Sequence, residues 1–197
     1  MADAQINGLL GAIHLTTSLQ TIYTPSTSGD GKQVQGMLEI TGLDTKGTTY
    51  FGIVLTDDNG NEHIKNEHIA VNRGQTLRHP IGLKKGQSVK AYCEAQETVM
   101  TVSTITAANP PVVTVNDTQT LQDGDIVKSN SIGGMTELAD NKIFKVGNVT
   151  GTTFELQTLD KQNLDGSAYT AYTSGGTFQK IPASIILLGH EEDVPQQ

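Results

Sequence analysis

Between residues 112 and 178 the chain strings short β-branched and apolar runs between glycine and Asn/Asp turns, and nothing there reads as a helix. Runs of this length and residue type, bounded by turn formers, are the signature of strands. The same stretch holds no cluster of catalytic residue types. It predicts a rigid all-β module, built to hold a shape rather than to turn over a substrate.

The rest of the chain follows the same pattern. Its 197 residues suffice for one large domain or two small ones. Apolar residues are 36% and charged residues 17%, both below globular averages, with threonine, asparagine, glutamine and 21 glycines filling the difference. That bias suits pleated, half-exposed strands and excludes a highly charged disordered chain. From the first residues onward, IHLTTSLQTIYT, VQGMLEIT, TTYFGIVLT, HIKNEHIAV, VKAYCEA and TVMTVSTI read as strands. Turn formers separate them at STSGDGK (26–32), 43–47, 85–86 and 95–97, a spacing of about eight to twelve residues that suits a sandwich or barrel. Asp58-Asn59-Gly60 is the strongest hairpin signal, because Asn-Gly accepts the positive φ values of a type I′ turn. NGLLGAIHL is expected to be irregular or strand, since Gly8 and Gly11 weaken a helix.

Pro110-Pro111 is the only doubled proline and the best boundary signal, because proline fixes φ and donates no hydrogen bond. The expected architecture is all-β: an N-terminal antiparallel β-sandwich, jelly-roll-like, over residues 1–106, and a second small β-barrel-like domain over 107–181. Residues 182–197 would supply the strand ASIILLG, returning to the first domain, and an acidic tail. A continuous apolar run of this kind is expected to be covered on both faces. The barrel domain is then an insertion near the C-terminus.

The net charge of −8 and only 13 scattered Lys and Arg argue against direct nucleic-acid binding. No segment approaches the roughly 20 apolar residues that span a bilayer, and the N-terminus lacks the basic and apolar regions of a signal peptide. Synthesis in a cytoplasm is the expectation. Cys93, the only cysteine, lies in an alternating strand and reads as a core residue.

Candidate chemistry is thin. His63 and His68 lie five apart on one strand, so they face opposite sides unless a bulge intervenes. Neither Asp57-Asp58-Asn59-Gly60-Asn61 nor Asp123-Gly124-Asp125 continues to a glutamate in EF-hand register. No nucleophile elbow, P-loop or dinucleotide fingerprint is present. Glu191 and Glu192 read as part of a solvated tail. Asn116-Asp117-Thr118 and Asn148-Val149-Thr150 match the glycosylation pattern by accident. The reading is therefore not an enzyme, with no cofactor and no metal. Interaction residues are placed at the hairpin Asp57, Asp58, Asn59, Gly60 and Asn61, with the N-terminal segment and the loop 159–168 as further contact elements. Tyr169 and Tyr172 are a possible sugar platform weighed against packing on the second core.

Five segments carry a resemblance: LQDGDIV (121–127), GGMTEL (133–138), IFKVGNV (143–149), TGTTFEL (150–156) and AYTSGGTF (171–178). In order and spacing, residues 112–178 resemble a module of tailed-bacteriophage virion proteins. That module is related to the first catalytic-cysteine half-domain of ubiquitin-activating enzymes. The chain departs from the pattern at LADNKIF, where an asparagine usually follows the leucine directly. Residues 1–106 are similar to small phage β-sandwich modules through QTIYTP (20–25) and the glycine turn and strand of IAVNRGQTLRHPIGLKKGQSVKAYCEA, and the C-terminal ILLGHEE (186–192) resembles the ending of such modules. The resemblance implies a non-enzymatic virion structural protein, decorating the capsid or attached to tail or neck. Its partners would be other virion proteins and copies of itself, with no nucleic acid and no membrane. A host-glycan or receptor-binding module on the virion is the alternative. Units of about 75–100 residues bury only about 60% of their unfolded surface, so docking or self-association is the expected source of further stability.

Overall fold

The computed structural model describes residues 6–26, 32–44, 47–94, 98–139 and 141–193. The N-terminal segment before Ile6, the turn at 95–97 and most of the loop at 26–32 lie outside them, as do two residues of the turn at 43–47 and the last four of the acidic tail. The chain forms two compact units: residues 1–43, 47–95 and 182–197, and residues 44–46 and 96–181.

The first unit has eight strands in two antiparallel four-stranded sheets. One contains β1 (Ile6–His14), β3 (Lys32–Gly42), β6 (Thr76–Leu83) and β14 (Ala183–Asp193), in the order β1-β14-β3-β6. The other contains β2 (Gln20–Tyr23), β4 (Thr48–Thr56), β5 (Glu62–Asn72) and β7 (Ser88–Cys93), in the order β2-β7-β4-β5. Counted along this unit alone, the orders are 1-8-3-6 and 2-7-4-5, the arrangement of an eight-stranded jelly roll. Period-2 alternation fills the space between the sheets. Leu38, Ile40, Ile185 and Leu187 face Phe51, Ile53, Val89 and Cys93 in one buried cluster.

Two glycines let the sheets meet at the sides. A Cβ at Gly11 would collide with the Ile22 carbonyl, and one at Gly42 with the Asn72 carbonyl. At the second place the backbones bond directly, Gly74 N–H donating to the Gly42 carbonyl at 2.9 Å. NGLLGAIHL is thus strand β1, bulged between Leu9 and Gly11.

β14 lies between β1 and β3 and pairs with both over most of its length. Its apolar run is not covered equally on its two faces. Ile185 and Leu187 are fully buried, whereas Ile186 and Leu188 are only half-buried on the outer face, beside Glu39 and Met37 of β3. An antiparallel sheet tolerates one partly wet face. The same alternation carries past the apolar run and turns Glu191 inward, 4% exposed, contrary to a solvated tail. Its carboxylate accepts from the Tyr23 hydroxyl at 2.7 Å and the Ser26 N–H at 2.9 Å. Burial, then the Glu191 hydrogen bond and charge, push the Tyr23 phenol up to about 12.

The second unit is a closed six-stranded barrel of β8 (Val99–Ile105), β9 (Val112–Val115), β10 (Ile126–Asn130), β11 (Ile143–Thr150), β12 (Thr153–Gln157) and β13 (Thr177–Lys180). Its strand order is β10-β11-β12-β9-β8-β13, with β13 pairing back onto β10. Phe178 fills the centre, edge-on to Phe154 at 5.6 Å and to Phe144 at 6.4 Å. One 3-10 turn, Thr136–Leu138, inserts Leu138 into this core. No helical signal precedes it in the sequence, because a single turn is too short to show a period.

The boundary differs from the one expected at 106–107. β8 pairs with β9 and β13 and so belongs to the barrel. Pro110-Pro111 sits in the β8–β9 hairpin loop, closed by Thr106 N–H donating to the Val112 carbonyl. A hairpin loop needs no donor at those positions, so the prolines fit it as well as they would fit a linker. Around the departure at LADNKIF, Asn141 takes φ 66° and donates its N–H to the Ser129 carbonyl at 2.9 Å. Its short polar side chain suits that left-handed position.

Candidate functional site

The predicted interaction hairpin joins β4 to β5, but its turn is not type I′. Gly60 takes φ 86°, while Asn59 is not among the residues of positive φ. Gly60 N–H donates to the Asp57 carbonyl at 3.1 Å, and Asp57 N–H to the Asn61 carbonyl at 2.9 Å. This is the longer loop with glycine at its left-handed end. Asp57 selects it. Its Oδ1 accepts the N–H groups of Asn59 and Asn61, both at 2.9 Å. Its Oδ2 meets the Asn61 amide and His63 Nε2, both at 3.0 Å. Asp58 and Asn59 are left exposed at the tip.

The bond from His63, followed by those from the Asn61 side chain and backbone, holds the Asp57 carboxyl far below its ordinary value of 3.8. A depressed carboxyl stabilises the fold fully above its ordinary value, and the contribution disappears as pH falls through the folded one. In an NMR pH titration, Asp57 is expected to stay ionised well below pH 3.8, and Asp57→Asn to erase the acid-range shifts of the Asn59 and Asn61 amides. Titration of Asp57 at its ordinary value would contradict this reading.

β5 is the outer strand of its sheet and mostly exposed, Ile64 by 62%. Its pairing with β4 is bulged and its side chains carry charge. Register slips opposite Phe51, Ile53 and Val54 mark two bulges. Lys65 Nζ donates to the Pro80 carbonyl of β6 at 2.9 Å, and Lys90 pairs with Glu62 at 2.7 Å. Bulges and charges of this kind block indiscriminate strand addition. The bulges also alter the spacing of the two histidines, yet each has its own partner. His63 binds Asp57, while His68, at φ 54°, binds Glu94 at 2.7 Å and stacks on Tyr50 at 4.2 Å. Among the described residues no group of three or more His, Cys, Asp or Glu is placed to hold a metal ion.

Tyr169 and Tyr172 both pack on the barrel core and are half-buried. The Tyr172 hydroxyl donates to backbone carbonyls, at 3.0 Å to Gly175 and 3.3 Å to Val102. Burial, then the charges of Glu137 and Asp165, raise the Tyr169 phenol. Neither ring stands free as a platform. The hairpin belongs to the first unit and the tyrosines to the second. The loop at 159–168 exposes Leu159 by 55% and is held by Lys145 Nζ on the Leu159 carbonyl at 2.5 Å. A shallow depression is lined, among the described residues, by Gln35, Gly36, Pro80, Ile81 and Gly82, none of which is titratable.

One cluster escapes the sequence reading. Lys180, 8% exposed, reaches Asp44 Oδ1 at 2.8 Å and Asp125 Oδ2 at 3.0 Å, and Asp125 is fully buried. Gln122 N–H donates to the same Asp125 Oδ2 at 2.9 Å. Alternation with Phe178 on β13 points Lys180 inward, which was the available signal. Asp44 is 136 residues away in the chain, and no local pattern announces it.

Residues 108–181 match the family model described as the ubiquitin-activating enzyme E1 FCCH domain. The match covers the barrel from β9 to β13 and well under half of the chain. No curated protein matches the chain.

Proposed function

We propose that the protein is a structural, non-enzymatic part of a tailed-bacteriophage particle, a capsid decoration or a tail or neck accessory. It acts by docking on neighbouring subunits. The observation that carries this reading is the jelly roll with a closed barrel inserted between its seventh and eighth strands, both cores filled by side chains. Jelly rolls recur in viral capsid proteins, which is support by fold analogy, and the phage-like segments of the barrel point the same way. The hairpin at Asp57 to Asn61 and the edge of β5 offer the contact surface. Their bulges and charges favour a shape-matched partner over indiscriminate pairing. The host-glycan alternative draws less support, because the rings of Tyr169 and Tyr172 are engaged in packing.

Electron microscopy and mass spectrometry of purified particles, made with and without the gene, test the proposal. The expected result is a defined density, present at fixed copy number, that vanishes with the gene. Normal particles from which the protein is wholly absent would overturn it.

A further inference from the structure

We propose that Lys180 and Asp125 are joined by an isopeptide bond, an amide between the two side chains that ties β13 to the turn entering β10, with Asp44 relaying the protons. The inference does not depend on the docking role. Three features of the cluster point to it. First, Lys180 Nζ lies 3.0 Å from Asp125 Oδ2, an oxygen bonded to the carbon it would attack. Well-oriented groups about 3–3.5 Å apart reach effective molarities of roughly 10⁵–10⁸ M, enough to drive amide formation that is unfavourable between free molecules in water.

Second, the surroundings exclude water and hold the electrophile still. Asp125 is fully buried and Lys180 only 8% exposed. The two strands are hydrogen-bonded neighbours, Val127 opposite Lys180. Gln122 N–H, at 2.9 Å from Asp125 Oδ2, donates to the oxygen on which negative charge develops during attack. Third, a second carboxylate touches the same nitrogen: Asp44 Oδ1 lies 2.8 Å from Lys180 Nζ, where a proton carrier must stand.

The step balances without any other reactant. Asp44 takes a proton from the Lys180 ammonium and passes it to Asp125 Oδ1, which turns the carboxylate into an acid open to attack. The freed nitrogen pair forms a bond to Cγ, and the pair of the Cγ–Oδ2 double bond moves onto Oδ2. Asp44 then carries a second proton from the nitrogen to Oδ1, the pair on Oδ2 re-forms the carbonyl, and the Cγ–Oδ1 bond breaks as water leaves. An ammonium and a carboxylate become one amide and one water molecule, and Asp44 ends as it began.

The intact mass of the purified full chain reads the result directly. A chain lighter by one water, which on proteolysis gives a single branched peptide containing both Asp125 and Lys180, is expected. A chain of full mass overturns the proposal. Succinimide formation at Asp123-Gly124 would also remove one water, and Lys180→Arg separates the two. That variant keeps the positive charge but cannot form the amide, so it is expected at full mass, and a water loss that persists in it overturns the proposal. Asp44→Asn is expected to remain uncrosslinked, and a crosslinked Asp44→Asn chain would remove Asp44 from the relay.

Discussion

Cutting the chain after Ile181 is expected to abolish the jelly roll while leaving the barrel folded. The cut removes β14, the strand that pairs with β1 on one side and β3 on the other. It deletes Ile185 and Leu187, both fully buried, and each such side chain is worth about 2–5 kcal/mol when truncated to alanine. It also strands two rows of backbone donors and acceptors that no other element reaches. Set against a domain stability of about 5–15 kcal/mol, the loss leaves no folded state for the first unit. Every barrel strand precedes the cut. Hydrogen exchange by mass spectrometry should show β1, β3 and β6 fully exchanged and β8 to β13 still protected. Protected amides in β3 would sink the prediction.

Phe178→Ala is expected to unfold the barrel at room temperature or bring it to the margin. The ring is fully buried and makes both edge-to-face contacts of the core, with Phe144 and Phe154. Removing a buried phenylalanine costs about 3–5 kcal/mol, and edge-to-face pairs add about 0.5–1.5 kcal/mol each beyond burial. Six short strands around one small core have little to spare. Urea unfolding followed by tyrosine fluorescence measures the change, since Tyr169 and Tyr172 pack on that core. A loss under about 0.5 kcal/mol, the scale of an ordinary surface change, would mean that another side chain organises the barrel.

Strand-length runs and glycine turns made most of the fold legible, because period-2 burial and positive φ leave local marks. ASIILLG could be read as a strand of the first unit from its apolar run alone. Failures came where a signal fits two structures. Pro110-Pro111 suits a linker and a hairpin loop alike, so the doubled proline does not reveal that β8 pairs into the barrel. Asn59-Gly60 suits a type I′ turn, but the Asp57 carboxylate binds two further N–H groups and stabilises a longer loop. Glu191 looked solvated because its partner, Tyr23, lies at the other end of the sequence. The Lys180 cluster was invisible for the same reason. Of the candidate site, the hairpin's position was legible and its hydrogen bonding was not. The tyrosines were legible as packing residues more than as a platform.

The position of β14 also sets an order of events during translation. The ribosome releases seven strands of the jelly roll, then the whole barrel, and only afterwards the segment that completes the first sheet. Until then β1 and β3 lack the strand that joins them, while the barrel has everything it needs and can mature first.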